Sequence, residues 1–335
     1  MSSPDRLRIA SLNTLNLRLP GRPIYQDPGY TQAEFEAKSS WLAGMLDTLA
    51  SQLVGLQEVF DEDALHETVS RCTGPPPRWV AAPEPRVTPD LPRVALLSWL
   101  DALGEVETVE RIPDGFAVRL PAAPEIGMPE MRHERFSRPV LGVTVDLATG
   151  SRRRPVPARV YVVHLKSRRP NQAALPGGPA EDMEDPVIEA RAHMRSLLMR
   201  AAEAGGVRAL VLRDLYRERM PVIVMGDFND HAKAATTNLV AGRMAPRNPA
   251  RRDIQLYHAA ALQAPNTLAR RIGYTKFHLG EPDSIDHILL SEEFLREGRH
   301  PIAEVERVDY FNDHLSEPGR LASDHGAIRA SLRLR

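Results

Sequence analysis

Apolar positions along this chain recur with two different periods. Arg8 to Leu17, R-I-A-S-L-N-T-L-N-L, alternates and predicts a strand with one covered face. Val222 to Met225 is apolar throughout and is bounded by Pro221 and Gly226, which predicts a strand buried on both faces. Between them, Phe35, Leu42, Met45, Leu46 and Leu49 recur at helical spacing, so Thr31 to Ser51 is predicted as a helix. Thr31 with Glu34 three residues on is a capping box. Leu53 to Glu58 then reads as a strand and Asp61 to Cys72 as a second helix.

Alternating segments follow at Val94–Trp99, Glu105–Ile112, Gly115–Leu120 and Val140–Leu147, then at Arg159–His164 after a basic hairpin tip, Ser151 to Arg154. Val187 to Arg219 is rich in Ala, Leu, Arg and Glu and predicts a long helix, with Gly205-Gly206 as a bend or break. Past Gly226 the stretch to Leu279 is mostly irregular. Ser284–Leu290 and Ala327–Leu334 supply the last strands. Pro75 to Pro92 holds seven prolines and is expected to be a long surface loop, as is Arg169 to Pro186. Helices and antiparallel-type strands are interspersed in both halves. That order favours a layered α/β sandwich over a purely parallel sheet.

The chemistry sits at the ends of these strands. The Val222 strand runs into Asp227, Asn229 and Asp230, where buried carboxylates are costly unless they hold a metal, a water or one another. Five further strands do the same: Asn13 and Asn16 end the first, Gln57-Glu58 the second, and His164, Lys166 and Ser167 follow Val160–Val163. Asp286-His287 lies within an apolar strand, and Ser323-Asp324-His325 precedes the last one. Six such clusters, from Asn13 to His325, predict one convergent site at a sheet edge. They also argue for one domain over residues 1–335, since both ends of the chain contribute.

Composition narrows the picture slightly. With 335 residues, 42% hydrophobic and 26% charged, the chain is of ordinary globular type. A net charge of −1 gives no global attraction to nucleic acid or membrane, so any such attraction must be local. The single cysteine, Cys72, excludes an internal disulfide framework and suits a reducing compartment; its plain reading is a small apolar residue. Neither a signal-peptide core nor a run of about 20 apolar residues is present, so a cytoplasmic protein with no membrane span is expected. No obligate protein partner is called for.

Hard oxygen donors with one or two histidines and no thiolate favour Mg²⁺, with Mn²⁺ as a substitute, over zinc. Glu58 and Asp324 are the candidate direct ligands. Asp227 beside Asn229 suits orienting and deprotonating a water. His164 and His325 are the candidate histidines, with Asp286 to fix a tautomer.

The fragments G-D-F-N-D, Q-E-V, V-V-H-L-K-S, I-D-H-I-L-L-S and S-D-H-G, in that set, resemble the endonuclease/exonuclease/phosphatase superfamily across essentially the full chain. The H-L-K-S fragment is similar to that of bacterial extracellular-type nucleases. The resemblance implies a deoxyribonuclease I-like fold, a four-layer α/β/β/α sandwich of two mixed β-sheets flanked by helices. It implies that Asn13 contacts phosphate or the metal shell and that Glu58 is the principal metal ligand. It implies further that His164 contacts the scissile phosphate or assists the leaving group, that Asp227 and Asn229 activate water, and that Asp286 orients His325 beside Asp324. Two departures stand out. Leu15 occupies a position where repair-type members often carry an acid, and no acid lies in Arg93–Ser98.

Each residue also has a plain reading. Asp227 and Asn229 can form a turn, Glu58 a salt bridge, His164 a satisfied core histidine, and Asp286 a structural pair with His287. Asn16 competes with Asn13 for its role. Lys166, Ser167, Tyr274 and Thr275 are candidate substrate contacts or solvated positions, and Asn312-Asp313-His314 fits loop capping better than a metal shell. Arg152–Arg154 and Arg168-Arg169 can steer a polyanion. The leading expectation is a Mg²⁺-dependent nuclease acting on DNA or RNA. The alternatives are a phosphatase or phospholipid or inositol-phosphate esterase, and a catalytically inactive binding module. An aromatic content of 5% counts against extensive base stacking.

Overall fold

The apolar runs pair into two six-stranded sheets. A computed structural model describes residues 6–83, 91–123, 129–148, 154–173, 181–243, 253–263, 273–278, 280–316 and 319–335. The first half contains β1 (Arg6–Leu17), α1 (Gln32–Leu49), β2 (Leu53–Val59), α2 (Glu62–Ser70), β3 (Trp79–Ala81), β4 (Arg93–Ser98), β5 (Glu107–Arg111), β6 (Val118–Leu120), β7 (Met131–His133), β8 (Arg135–Asp146) and β9 (Pro157–His164). The second half contains α3 (Pro186–Leu212), β10 (Val222–Asp227), α4 (Ala235–Ala241), β11 (Tyr257–His258), α5 (Ala259–Leu262), β12 (Lys276–His278), β13 (Glu281–Asp283), β14 (Asp286–Leu290), β15 (Ala303–Phe311) and β16 (Ala327–Leu334).

One sheet has the order β15-β16-β1-β2-β4-β3 and the other β11-β14-β10-β9-β8-β5. Each is mixed: β1 runs parallel to β2 and β10 parallel to β9, while their other pairings are antiparallel. Leu7, Ile9, Leu96, Val143, Val162, Ile223, Met225 and Ile288 form a shared core between the sheets. The opposite faces are covered by helices. Phe35, Leu42 and Leu65 of α1 and α2 pack on Leu12, Leu56 and Leu97, and Val207, Val211 and Val240 of α3 and α4 pack on Tyr161, Val163 and Val224. The result is the four-layer α/β/β/α sandwich of the deoxyribonuclease I-like fold. Each buried Leu, Ile or Val contributes about 1.5–3 kcal/mol, so the three apolar layers outweigh any surface ion pair.

Several expectations need correction. The Pro75–Pro92 stretch includes regular structure, the short edge strand β3, because Trp79–Ala81 is free of proline; residues 84–90 lie outside those described. Gly205-Gly206 does not break α3. Both glycines are covered by apolar rings, a Cβ on Gly205 standing 2.5 Å from Phe116 and one on Gly206 2.8 Å from Phe136, so they permit close packing. The helix instead changes to a π-helical turn at Arg213–Glu218. Gly115–Leu120 shortens to β6, and Val140–Leu147 is the second half of a twelve-residue strand. Glu105–Ile112 trims to β5. The stretch to Leu279 carries only short elements among its described residues, α4, β11, α5 and β12. The tip at Ser151–Arg154 lies, apart from Arg154, outside the described residues. β15 has no clear apolar period, because Glu304, Glu306, Arg307 and Asp309 interrupt its apolar face.

Candidate active site

Register brings the strand ends together. In the second sheet Asp227, the last residue of β10, is paired with His164 at the end of β9 and with Asp286 at the start of β14. Gly226 makes this possible: its φ is +147° and a Cβ there would stand 1.9 Å from the Val163 carbonyl oxygen. In the first sheet Asn13 is level with Gln57, and Glu58 follows at the left-handed φ of 61°. Asn13 Nδ2 donates to Glu58 Oε1 at 3.0 Å and lies 3.2 Å from Asp227 Oδ2, joining the two sheets. The backbone N–H of Asn16 donates to Glu58 Oε2 at 3.2 Å.

Asn16, Glu58, His164 and Asp227 line a polar cavity of about 110 Å³ with Asn229, Asp324, His325, Ser167, Tyr25, Arg138, Arg169 and Lys276, while Asn13 and Asp286 brace it from behind. Leu15, Asn16, Tyr25, Glu58 and Asn229, all with φ between 52° and 61°, line it too. Left-handed backbone at non-glycine residues costs about 1–3 kcal/mol each, and its concentration here marks a site that the fold over-determines.

Asp227 is the hub. Its Oδ1 accepts the Asn229 backbone N–H at 2.7 Å, and its Oδ2 lies 3.4 Å from His164 Nε2 and 3.9 Å from His325 Nε2. Asn229 is anchored by its side chain, which donates to the Leu165 carbonyl at 2.9 Å. Burial, and then the neighbouring Asp286 charge, push the Asp227 carboxyl up to about 6. His164 is held well below the usual histidine range by burial and by the Arg138, His325 and Lys276 cations, so its ring is neutral. His325 behaves oppositely. Burial opposes its charge, but Asp286 and Asp227 together carry it up to about 9.

His325 Nδ1 sits 2.8 Å from Asp286 Oδ2, with both side chains buried, so the Nδ1–H donates to the carboxylate. Its Nε2 meets Lys276 Nζ at 2.8 Å. A nitrogen–nitrogen contact of this length needs one donor and one acceptor, so it ties the amine to the imidazole as a hydrogen-bonded pair. Lys276 also donates to Asp324 Oδ2 at 2.8 Å, and Lys276 and His325 hold that carboxyl low against its burial.

The remaining predicted residues divide. Ser167 lines the cavity. Lys166 does not: its ammonium turns back to the Ser167 and Arg169 carbonyls at 3.3 and 3.2 Å. Tyr274 is displaced as well, its ring against Phe277 and its carbonyl accepting from Asn312 Nδ2 at 2.9 Å. Thr275 braces Asp286, whose backbone N–H donates to Thr275 Oγ1 at 3.2 Å. His287 is structural, bonded to the Asp230 carbonyl at 2.9 Å and packed on Phe228. His314 supports the site from behind, its Nε2 2.9 Å from the His325 carbonyl. Tyr25, Arg138 and Lys276 have no sequence signal, each being a lone residue in a loop or strand with no motif around it.

Among the described residues, Asp227, Asp286 and His325 offer donor atoms all within 4.8 Å of one another, a spacing that can hold a divalent ion. The hydrogen-bonded, readily protonated imidazole makes His325 a poor ligand. Glu58 and Asp324, with the buried and otherwise unpartnered Asn16 Oδ1, form a harder oxygen set on the same cavity.

Fold and site together define a hydrolase of phosphoester bonds with carboxylates for a divalent ion. Residues 10–325 match the Endonuclease/Exonuclease/phosphatase family, and the chain belongs to it. No curated protein matches it significantly in sequence. Solved structures share the fold. A conserved protein of unknown function from Enterococcus faecalis has a TM-score of 0.56 at 16% identity, covering 98% of this chain and 100% of its own. The human Nocturnin catalytic domain with bound sulfate has 0.53 at 15%, covering 100% and 97%. A mannosyl-6-phosphatase of Bacteroides thetaiotaomicron has 0.53 at 15%, covering 97% and 99%. The family works with divalent metal ions. No described helix is long and apolar enough to cross a membrane.

Proposed function

We propose that this protein is a Mg²⁺-dependent phosphodiester hydrolase, a nuclease cleaving DNA or RNA by in-line attack of water. The observation that carries this reading is the position of Asp227. Its carboxylate is buried, raised toward neutrality, and reached by Asn13, His164, Asn229 and His325 at the floor of a phosphate-sized cavity. Bound Mg²⁺ would withdraw charge from a phosphate oxygen. Glu58, Asp324 and the Asn13–Asn16 corner would hold it.

The chain's own residues supply the rest. Asp227 accepts a proton from the attacking water, which Asn229 helps to place. The new P–O bond forms as the bond to the leaving oxygen breaks, and charge grows on the equatorial oxygens. His164, as a neutral hydrogen-bond partner, and the Lys276–His325 pair face that charge. Arg138 and Arg169 add positive potential at the rim. One catalytic domain over residues 1–335 and a cytoplasmic location complete the reading; β1 and β16, from opposite ends of the chain, are neighbours, and Cys72 is a free thiol.

The second reading, a phosphatase or phospholipid or inositol-phosphate esterase, is favoured by the small catalytic cavity. Incubation with plasmid DNA, single-stranded RNA, inositol phosphates, sugar phosphates and sphingomyelin under Mg²⁺ separates the two. Turnover of monoesters alone overturns the nuclease reading. Asp227→Asn should remove turnover in either case while the fold persists.

A further inference from the structure

The catalytic cavity is too small to hold more than the reacting group. At about 110 Å³ it has the space of a few waters, at roughly 30 Å³ each in the liquid. The substituents of the phosphate must therefore lie in adjoining clefts. Two are of ligand size: about 580 Å³ on the Tyr25 and Arg138 side, and about 550 Å³ on the Arg168 and His278 side.

The two clefts differ in what they can bind. On the second side Arg168 is committed to Asp230 and Asp283 at 3.1 Å each and Lys276 to Asp324; Arg169 has no ion pair with a described carboxylate, but no Phe, Tyr or Trp is among the described lining residues to hold a base beside it. On the first side Arg135 is paired with Glu110 at 3.1 Å, His133 with Glu203 at 3.0 Å, and the Lys166 ammonium is held by carbonyls. Arg138 is different. It forms no ion pair with any described carboxylate, its partner being the Tyr25 hydroxyl, and it lines both this cleft and the catalytic cavity.

Tyr25 is placed with similar economy. It borders the catalytic cavity, the 580 Å³ cleft and a third hollow of about 260 Å³. Its backbone is left-handed at φ 55°, its ring meets Phe60 edge-on at 5.7 Å, and Arg138 holds its hydroxyl, yet 60% of the residue is exposed. An aromatic ring held in place and 60% exposed offers a surface on which a planar group can stack. The cleft behind it is floored by Leu91, Phe136 and Met199.

We infer that Tyr25 and Arg138 form a subsite for the flank of the substrate next to the scissile phosphate, binding a planar base on Tyr25 and a second phosphate on Arg138. The inference rests on the phosphodiesterase reading only for which phosphate is cut; the subsite itself needs no metal. Stacking on one aromatic ring and a charge-assisted bond to one guanidinium each correspond to about a tenfold change in affinity or more.

The test is calorimetric titration of the full chain in chelator with adenosine 3′,5′-bisphosphate, adenosine and ribose 5-phosphate. The bisphosphate should bind at least about tenfold tighter than either fragment. Arg138→Ala should weaken the bisphosphate about tenfold and leave adenosine unchanged, and Tyr25→Ala should weaken bisphosphate and adenosine alike. Arg138→Lys and Tyr25→Phe should recover part of each loss, with circular dichroism confirming that all four variants fold. Equal binding of bisphosphate and ribose 5-phosphate overturns the base platform. Bisphosphate affinity unchanged in Arg138→Ala overturns the anion contact. A wild-type protein that binds the bisphosphate as described but cuts no diester under Mg²⁺ refutes the proposed function and supports the subsite.

Discussion

Asn13 Nδ2 lies 3.2 Å from Asp227 Oδ2, a hydrogen bond between residues 214 positions apart that crosses from one sheet to the other. The same nitrogen donates to Glu58 at 3.0 Å. An amide nitrogen has two protons, so Asn13 can hold the candidate water-activating acid and the candidate metal-holding acid at a fixed separation. Asn13→Ala leaves both carboxylates free to repel and should reduce turnover about 10²-fold, in line with the loss of one oriented hydrogen bond in a catalytic site. Asn13→Asp should be worse, since it adds a third acid. Steady-state kinetics with thermal unfolding separates this from misfolding: near-normal turnover in Asn13→Ala refutes the bridging role.

The Asp286–His325 pair predicts a second loss. Asp286 is fully buried, accepts from His325 Nδ1, and leaves its Oδ1 unpartnered. In Asp286→Asn the side chain can present an N–H where an acceptor is needed, and the imidazole is driven to the wrong tautomer. By analogy with other histidine–aspartate pairs, turnover should drop about 10³–10⁴-fold with little change in unfolding temperature. An unchanged rate would assign Asp286 to structure alone.

Much of this architecture was legible beforehand, for a physical reason. A buried strand that ends in acids or imidazoles violates the pairing of burial with apolarity, and six such violations pointed at one place. The capping box was equally direct: the Thr31 N–H donates to Glu34 Oε2 at 2.8 Å and Thr31 Oγ1 accepts the Glu34 N–H at 3.3 Å. What escaped notice has no local pattern. Tyr25 and Arg138 lie 113 residues apart in the numbering and meet only through the fold. Lys276 reaches the site only because β12 folds beside Asp324, and Lys166, although of the residue type that contacts phosphate, bonds its ammonium to its own loop.

Gly226 should tolerate no side chain. In Gly226→Ala the new Cβ meets a backbone oxygen at 1.9 Å, and alanine at φ +147° is itself strained. Relief requires moving β10 against β9 at the level of Asp227, so we expect a loss of about 3 kcal/mol or more. Denaturant unfolding with an unchanged midpoint would contradict this.

Acid should destabilise the fold through a buried histidine. His258 is pushed down from 6.5 to about 3, chiefly by burial and then by the nearby His287 and Arg243 charges. Below about pH 6.5 the unfolded chain takes up this proton while the folded protein does not, so stability falls with pH until the folded group titrates near 3. The contribution should reach roughly 2 kcal/mol by pH 4, allowing for the residue's partial exposure. His258→Gln should flatten that part of the curve in urea unfolding at pH 7, 5.5 and 4. A variant with the wild-type slope would place the acid sensitivity elsewhere.

Lys38 gives the opposite sign. It lies on α1 with no exposed surface, its ammonium has no hydrogen-bond acceptor, and the Tyr30 ring stands 5.5 Å away. Burial pushes it down to about 8 against the attraction of Glu58 and Asp324. At pH 7 it is therefore charged in the folded protein at a cost that the unfolded chain does not bear. Stability should rise as pH climbs from about 8 to 10.5, where only the unfolded state retains the proton. Lys38→Met keeps the length of the side chain and removes the buried charge, so it should raise stability at pH 7 by about 2 kcal/mol and abolish that rise. The same substitution removes a positive charge behind Glu58 and Asp324, and Mn²⁺ titrated calorimetrically should bind more tightly than to the wild type. A Met variant that is less stable than the wild type would mean that Lys38 is held by a partner stronger than the Tyr30 ring, and that its charge belongs to the fold rather than to the site.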